Sequence, residues 1–186
     1  MLRLLLMRHA KSDWGDPRLP DCERPLNTRG EAAAQDMAAF MAAHHMLPEL
    51  VLCSTSLRTR MTLSPLLPYL SNECRLITLE DLYQGGGPDY VETICAYGGL
   101  SQNLLVLGHM PNIQQTASEL CGGGNPALID DMEEKYPTAA LSVIAFDKNR
   151  WSEISRKEGR MVSFIKPREL PDSPPLTAST KVTPLK

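Results

Sequence analysis

Leu2-Arg3-Leu4-Leu5-Leu6-Met7-Arg8-His9-Ala10-Lys11-Ser12 opens the chain with an apolar run that ends abruptly in charge. A run of this length carries one arginine and is otherwise apolar on both sides of a pleat. It predicts a strand buried on both faces, over Leu2 to Met7. The run is too short for the core of a signal peptide and passes straight into Arg8, His9 and Lys11. A polar loop rich in Asp and Pro follows, from Ala10 to Asn27. Thr28 then opens a helix. Thr28 and Glu31 have capping-box spacing, and Ala33, Met37, Phe40, Met41 and His44 recur at helical intervals.

The rest of the chain alternates in the same way. Leu50 to Cys53, Arg75 to Leu79 and Asn103 to Leu107 read as further buried strands, with later ones near Leu141 to Phe146 and Met161 to Ile165. Helices are expected over Ser56 to Leu63 and over Pro88 to Tyr97, where Pro88 suits a first helical position. Gly85 to Gly87 reads as a flexible loop before it. Another helix is expected from Pro111, closed near Gly122 to Gly124. Alternating strands and helices predict an α/β fold, a three-layer sandwich on a mainly parallel central sheet. The domain is expected to span residues 1–166. Residues 167–186 hold five prolines and little apolar material, and read as a Pro-rich C-terminal tail. No internal repeat is visible.

Composition narrows the function classes. The chain has 186 residues, 42% of them apolar, which suits one compact domain with a real core. Nineteen basic and 22 acidic residues give a net charge of −3, without the basic excess of a nucleic-acid surface. Any anion site must therefore be a local cluster. Five cysteines, with no C-x-x-C pair, argue against a disulfide scaffold or a zinc ribbon. No apolar run approaches the roughly 20 residues of a membrane span. The expectation is a cytoplasmic protein.

In such a sheet, ligands bind beyond the carboxyl ends of the strands. Arg8-His9, Ser54 to Arg58 and Gly108-His109 all fall there. A histidine of near-neutral pKa can be an unprotonated nucleophile, and a neighbouring arginine can hold a phosphate by two parallel hydrogen bonds. Taken alone, Arg8-His9 reads more readily as a capping or core histidine beside a surface arginine. Arg58 alone reads as a solvated helix residue, and His109 alone as a structural one. Their joint position is what points to a phosphate site. His44 and His45 lie mid-helix with no ligand-like spacing, so no metal is expected.

The order of these segments resembles the histidine phosphatase superfamily. Leu5 to Ser12 resembles its "RHG" signature strand, with Ala10 where Gly is usual. Ser54, Arg58 and Thr62 resemble its second motif, and Gly108-His109-Met110-Pro111 its third. Arg24-Pro25-Leu26-Asn27 with Gly30 resembles a stretch of the short branch. Within the family, compact phosphohistidine phosphatases of the SixA type are the nearest likeness. The resemblance implies a phosphoglycerate mutase-like fold and a phosphate pocket of Arg8, His9, Arg58 and His109, with His9 attacking in line. It implies no cofactor and no metal. Lys11, Ser12 and Arg24 are implied at the rim. Glu80 fits the general acid if aligned on Gly85, Asp81 if aligned on Leu82, and Asp13 is a third choice; both loop carboxylates also read as merely solvated.

The activity so implied is metal-independent hydrolysis through a phosphohistidine intermediate, on phosphohistidine proteins or small phosphoesters. The alternatives are a phosphoglycerate mutase-like phosphotransferase, for which the chain looks short, and a non-catalytic phosphate-binding protein. Neither a nucleic-acid nor a membrane partner is expected, and the sequence leaves the oligomeric state open.

Overall fold

The computed structural model describes residues 1–83 and 89–170. Within these residues seven strands form one sheet: β1 Leu2–Arg8, β2 Leu50–Ser54, β3 Arg75–Leu79, β4 Asn103–Gly108, β5 Cys121–Gly124, β6 Leu141–Phe146 and β7 Gly159–Ile165. Their order is β3-β2-β4-β1-β6-β7-β5. The first four pair in parallel, β6 runs antiparallel to both β1 and β7, and β5 is parallel to β7. The sheet is thus a mixed one in which parallel pairs predominate, within the expected α/β class.

Among the described residues, five helices cover the two faces. They are α1 Thr28–Ala43, α2 Leu57–Leu63, α3 Tyr90–Tyr97, α4 Asn112–Leu120 and α5 Pro126–Glu134. The pleat divides β1 between two cores. Leu2, Leu4 and Leu6 face the side of α3, α4 and α5, packing with Ile94, Ile113 and Met132. Leu5 and Met7 face α1, packing with Met37 and Met41. Burial of one such side chain contributes about 1.5–3 kcal/mol relative to exposure. Five of them in one strand make β1 a firm base for the residues that follow it.

Three local readings are corrected. Thr28 is the first residue of α1 rather than its cap. Asn27 caps it, its side chain accepting from the Gly30 amide at 2.9 Å. Gly122 to Gly124 do not merely close a helix; they lie in β5. A Cβ on Gly122 would stand 1.7 Å from the Lys157 carbonyl oxygen, so only glycine lets this edge lie so close. Helix α5 follows, capped by Asn125 and unexpected from sequence. The glycine loop at 85–87 and Pro88 lie outside the described residues, and α3 begins at Tyr90 with Asp89 as its cap. Beyond β7, Pro167–Glu169 form a short 3-10 turn and Leu170 packs on the α1-side core. Residues 171–186 lie outside the described residues.

Candidate active site

Register sets the site. Arg8 pairs with Gly108 and Cys53 with Leu107, so β1, β2 and β4 end at one level. His9, Ser54 and His109 stand at or just beyond those ends. The His9 and His109 rings lie 5.0 Å apart between centroids. Two glycines make the approach possible. A Cβ on Gly108 would meet the Tyr90 hydroxyl at 2.5 Å, and one on Gly30 would meet the Lys11 carbonyl oxygen at 2.1 Å. The first turn of α1 therefore rests directly on the loop after His9.

His9 is buried. Its Nδ1 lies 2.7 Å from the Ala10 carbonyl oxygen. A carbonyl only accepts, so Nδ1 carries the proton and Nε2 keeps its lone pair. Burial, with the positive charge of Arg58 and Arg8, lowers the His9 pKa to about 4, against the pull of the Ala10 bond. Ala10 is fully buried, and its amide donates to Thr62 Oγ1, which in turn donates to the Arg58 carbonyl. Loop and α2 are locked together by that chain of bonds.

His109 is also held below its ordinary range, at about 3, by burial first and then by His9 and Arg58. Its Nε2 contacts Ser54 Oγ at 2.8 Å, while its Nδ1 is buried with no partner in the protein. Arg8 donates from Nη1 to the Tyr136 carbonyl at 2.8 Å, and its buried Nε likewise has no protein partner. Buried polar atoms left unsatisfied cost about 1–3 kcal/mol each. Two of the three such atoms in the described residues belong to Arg8 and His109; the third is Arg24 Nε.

Arg58 is buried and reaches Asp21. Nη2 binds Asp21 Oδ2 at 2.8 Å and Nη1 the Asp21 carbonyl oxygen. The Tyr83 hydroxyl donates to the same carboxylate at 3.0 Å. Burial would raise the Asp21 pKa, but the bonds from Arg58 and Tyr83 outweigh it and hold the carboxyl below its usual value. Sequence reasoning missed Asp21 and Tyr83. Asp21 opens a three-residue 3-10 turn, too short for any periodicity to flag it.

The other expected residues are dispersed. Glu80 accepts from Thr55 Oγ1 at 2.5 Å, one residue beyond the Ser54 that contacts His109. Asp81 is exposed in the same turn. Ser12 is buried and accepts from the Trp14 indole at 3.1 Å. Arg24 lies over that indole at 4.2 Å. These two residues therefore brace the loop between β1 and α1. Lys11 is exposed. Asp13 accepts from the Gly15 amide at 2.8 Å within that loop. Among the described residues, no three His, Cys, Asp or Glu side chains gather as a metal site would require. Among the described residues, no helix is long and apolar enough to cross a membrane.

Comparison with known proteins bears on the family. The model of the histidine phosphatase superfamily, branch 1, matches residues 4–83, a span that includes Arg8, His9, Arg58 and Glu80. An uncharacterized protein of Mycobacterium tuberculosis is 30% identical over 164 residues, covering 87% of this chain and all of the relative. A chain assigned as the phosphohistidine phosphatase SixA of Agrobacterium tumefaciens superposes with a TM-score of 0.72 at 25% identity, over 89% of this chain and 97% of that one. A protein histidine phosphatase SixA solved with tungstate superposes with a TM-score of 0.70 at 24% identity, over 91% and 100%. Phosphatase chemistry is the activity class these matches support. The chain belongs to the histidine phosphatase superfamily and is of its SixA type.

Proposed function

We propose that the protein is a phosphohydrolase in which His9 takes the phosphoryl group, from phosphohistidine in proteins or from small phosphoesters. The observation that carries this reading is the His9 tautomer. Its proton is on Nδ1, so a neutral Nε2 is available among Arg8, Arg58 and His109. Nε2 attacks phosphorus in line and forms the P–N bond. The bond to the leaving group breaks, and its electron pair departs with the leaving atom. Arg8 and Arg58 neutralise the phosphoryl oxygens, and His109 donates to one of them as charge shifts. Water then cleaves the phosphohistidine, releasing phosphate and restoring His9.

Glu80 is the proposed proton donor to the leaving group. It stands at the carboxyl end of β3, within reach of Thr55. An imidazole leaving group departs more readily than an alkoxide, so its dependence on Glu80 is expected to be the weaker. A SixA of the same fold is solved with tungstate, a tetrahedral oxyanion, which is in keeping with a phosphoryl ligand for this chain.

Rapid quenching during turnover of a labelled aryl phosphate tests the reading. Acid-labile, base-stable label on the protein is expected, and none on His9→Ala with circular dichroism unchanged. His9→Ala that still turns over would overturn the assignment. Phosphate affinity without turnover in the parent chain would favour a binding-only role.

A further inference from the structure

A second basic region adjoins the pocket. A groove of about 670 Å³ is lined by α1 (Arg29, Asp36), the loop residue Lys11, the segment after α5 (Lys135) and the turn after β7 (Lys166, Arg168, Glu169). Arg8 forms its inner wall. Six cations against two carboxylates leave the groove at +4, so the rest of a chain of net −3 carries −7. Lys166 is already committed, with Asp131 and Glu169 at 2.7 and 2.9 Å. Lys11, Arg29, Lys135 and Arg168 are exposed, and none forms an ion pair among the described residues. Like charges gathered this way repel one another. Folding does not need them together, so their placement points to a polyanionic ligand.

We propose that this groove docks an acidic stretch of polypeptide flanking the phosphorylated residue of a protein substrate. The inference rests on the phosphatase reading above. Arg8 and Lys11 bracket His9 in the chain and also line the groove, so a segment lying there brings its phosphoryl group to the neighbouring pocket. The volume matches a single ligand cavity, room for a few side chains rather than a whole domain face. No aromatic ring lines it, and single-stranded nucleic acid would use such rings as stacking platforms. The chain's own residues 171–186 hold one Asp and two Lys, the wrong balance for a basic groove.

Peptides of equal length, each with one phosphohistidine, provide the test. Their flanks are Glu-rich, Gln-rich or Lys-rich, and free phosphohistidine is the control. The full chain is expected to favour the Glu-rich peptide over the Gln-rich one by about tenfold in kcat/KM, mostly through KM, and to lose this preference at high salt. Arg29→Glu with Lys135→Glu is expected to abolish the preference and leave free phosphohistidine turnover unchanged. Equal rates on all peptides, or a preference that survives the double substitution, would overturn the proposal. So would displacement of the Glu-rich peptide by a single-stranded oligonucleotide at equal concentration. If the double variant misfolds, the peptide ranking and salt dependence of the parent chain still decide. If nothing is hydrolysed, the phosphatase reading fails, while anisotropy of a labelled Glu-rich peptide still reports docking.

Discussion

The pocket around His9 and the groove beside it are both positive, yet they use charge differently. In the pocket, Arg58 is buried and His109 half-buried, and each makes a defined hydrogen bond. In the groove, Lys11, Arg29, Lys135 and Arg168 are exposed and have no ion-pair partner among the described residues. A buried charge acts through fixed geometry and is little screened, whereas an exposed one acts at range and fades with salt. The difference teaches that position relative to the strand ends, more than the number of cations, decides which cluster can do chemistry and which can only attract.

Substitutions can break this contrast. Arg58→Ala removes a buried donor of the proposed phosphate pocket, and kcat/KM on an aryl phosphate is expected to fall by about 10²–10³ at every salt concentration. A loss that shrank with salt would place Arg58 with the groove residues. Acidification probes burial itself. His9 and His109 are depressed to about 4 and about 3, so the folded state excludes protons that the unfolded chain takes up below its ordinary value near 6.5. Their contribution to stability is therefore full above that value and declines as pH falls from it towards 4 and then 3. Urea unfolding between pH 7 and 4 should show the decline, and His109→Gln should flatten part of it. The acid limb of kcat/KM is likewise expected well below 6.5. The smallest effect concerns Asp21. Its carboxylate holds Arg58, so Asp21→Asn should tighten competitive inhibition by inorganic phosphate by a fewfold. Unchanged or weaker inhibition would mean that Asp21 orients Arg58 rather than competing for it.

Much of this arrangement was legible in the residues. Strands that the helices bury on both sides read as near-continuous apolar runs, which is why β1, β2 and β4 stood out. Arg8, His9, Arg58 and His109 were findable because each lies at a fixed step beyond such a run. Other features left no such trace. Helix α5 buries only Met132, too little to impose a period. Strand β5 is three-quarters glycine, which reads as a helix stop until the neighbouring Lys157 backbone explains it. The antiparallel place of β6 depends on which edge the chain returns to, and no local pattern encodes that. Asp21 and Tyr83 meet Arg58 from separate loops, a coincidence of tertiary structure alone. Lys11 was expected at the rim of the phosphate site, but that it also lines a groove with Lys135 became visible only once the segment after α5 was placed beside α1.

The bond from His9 Nδ1 to the Ala10 carbonyl has a bearing on how the site withstands mutation. Ser54, Asp21 and Thr62 each hold part of the pocket through a side chain, and a single codon change can delete any of them. The acceptor that sets the tautomer of His9 is main chain, and every amino acid supplies the same carbonyl. Drift at position 10 can crowd the loop, but it cannot take that acceptor away.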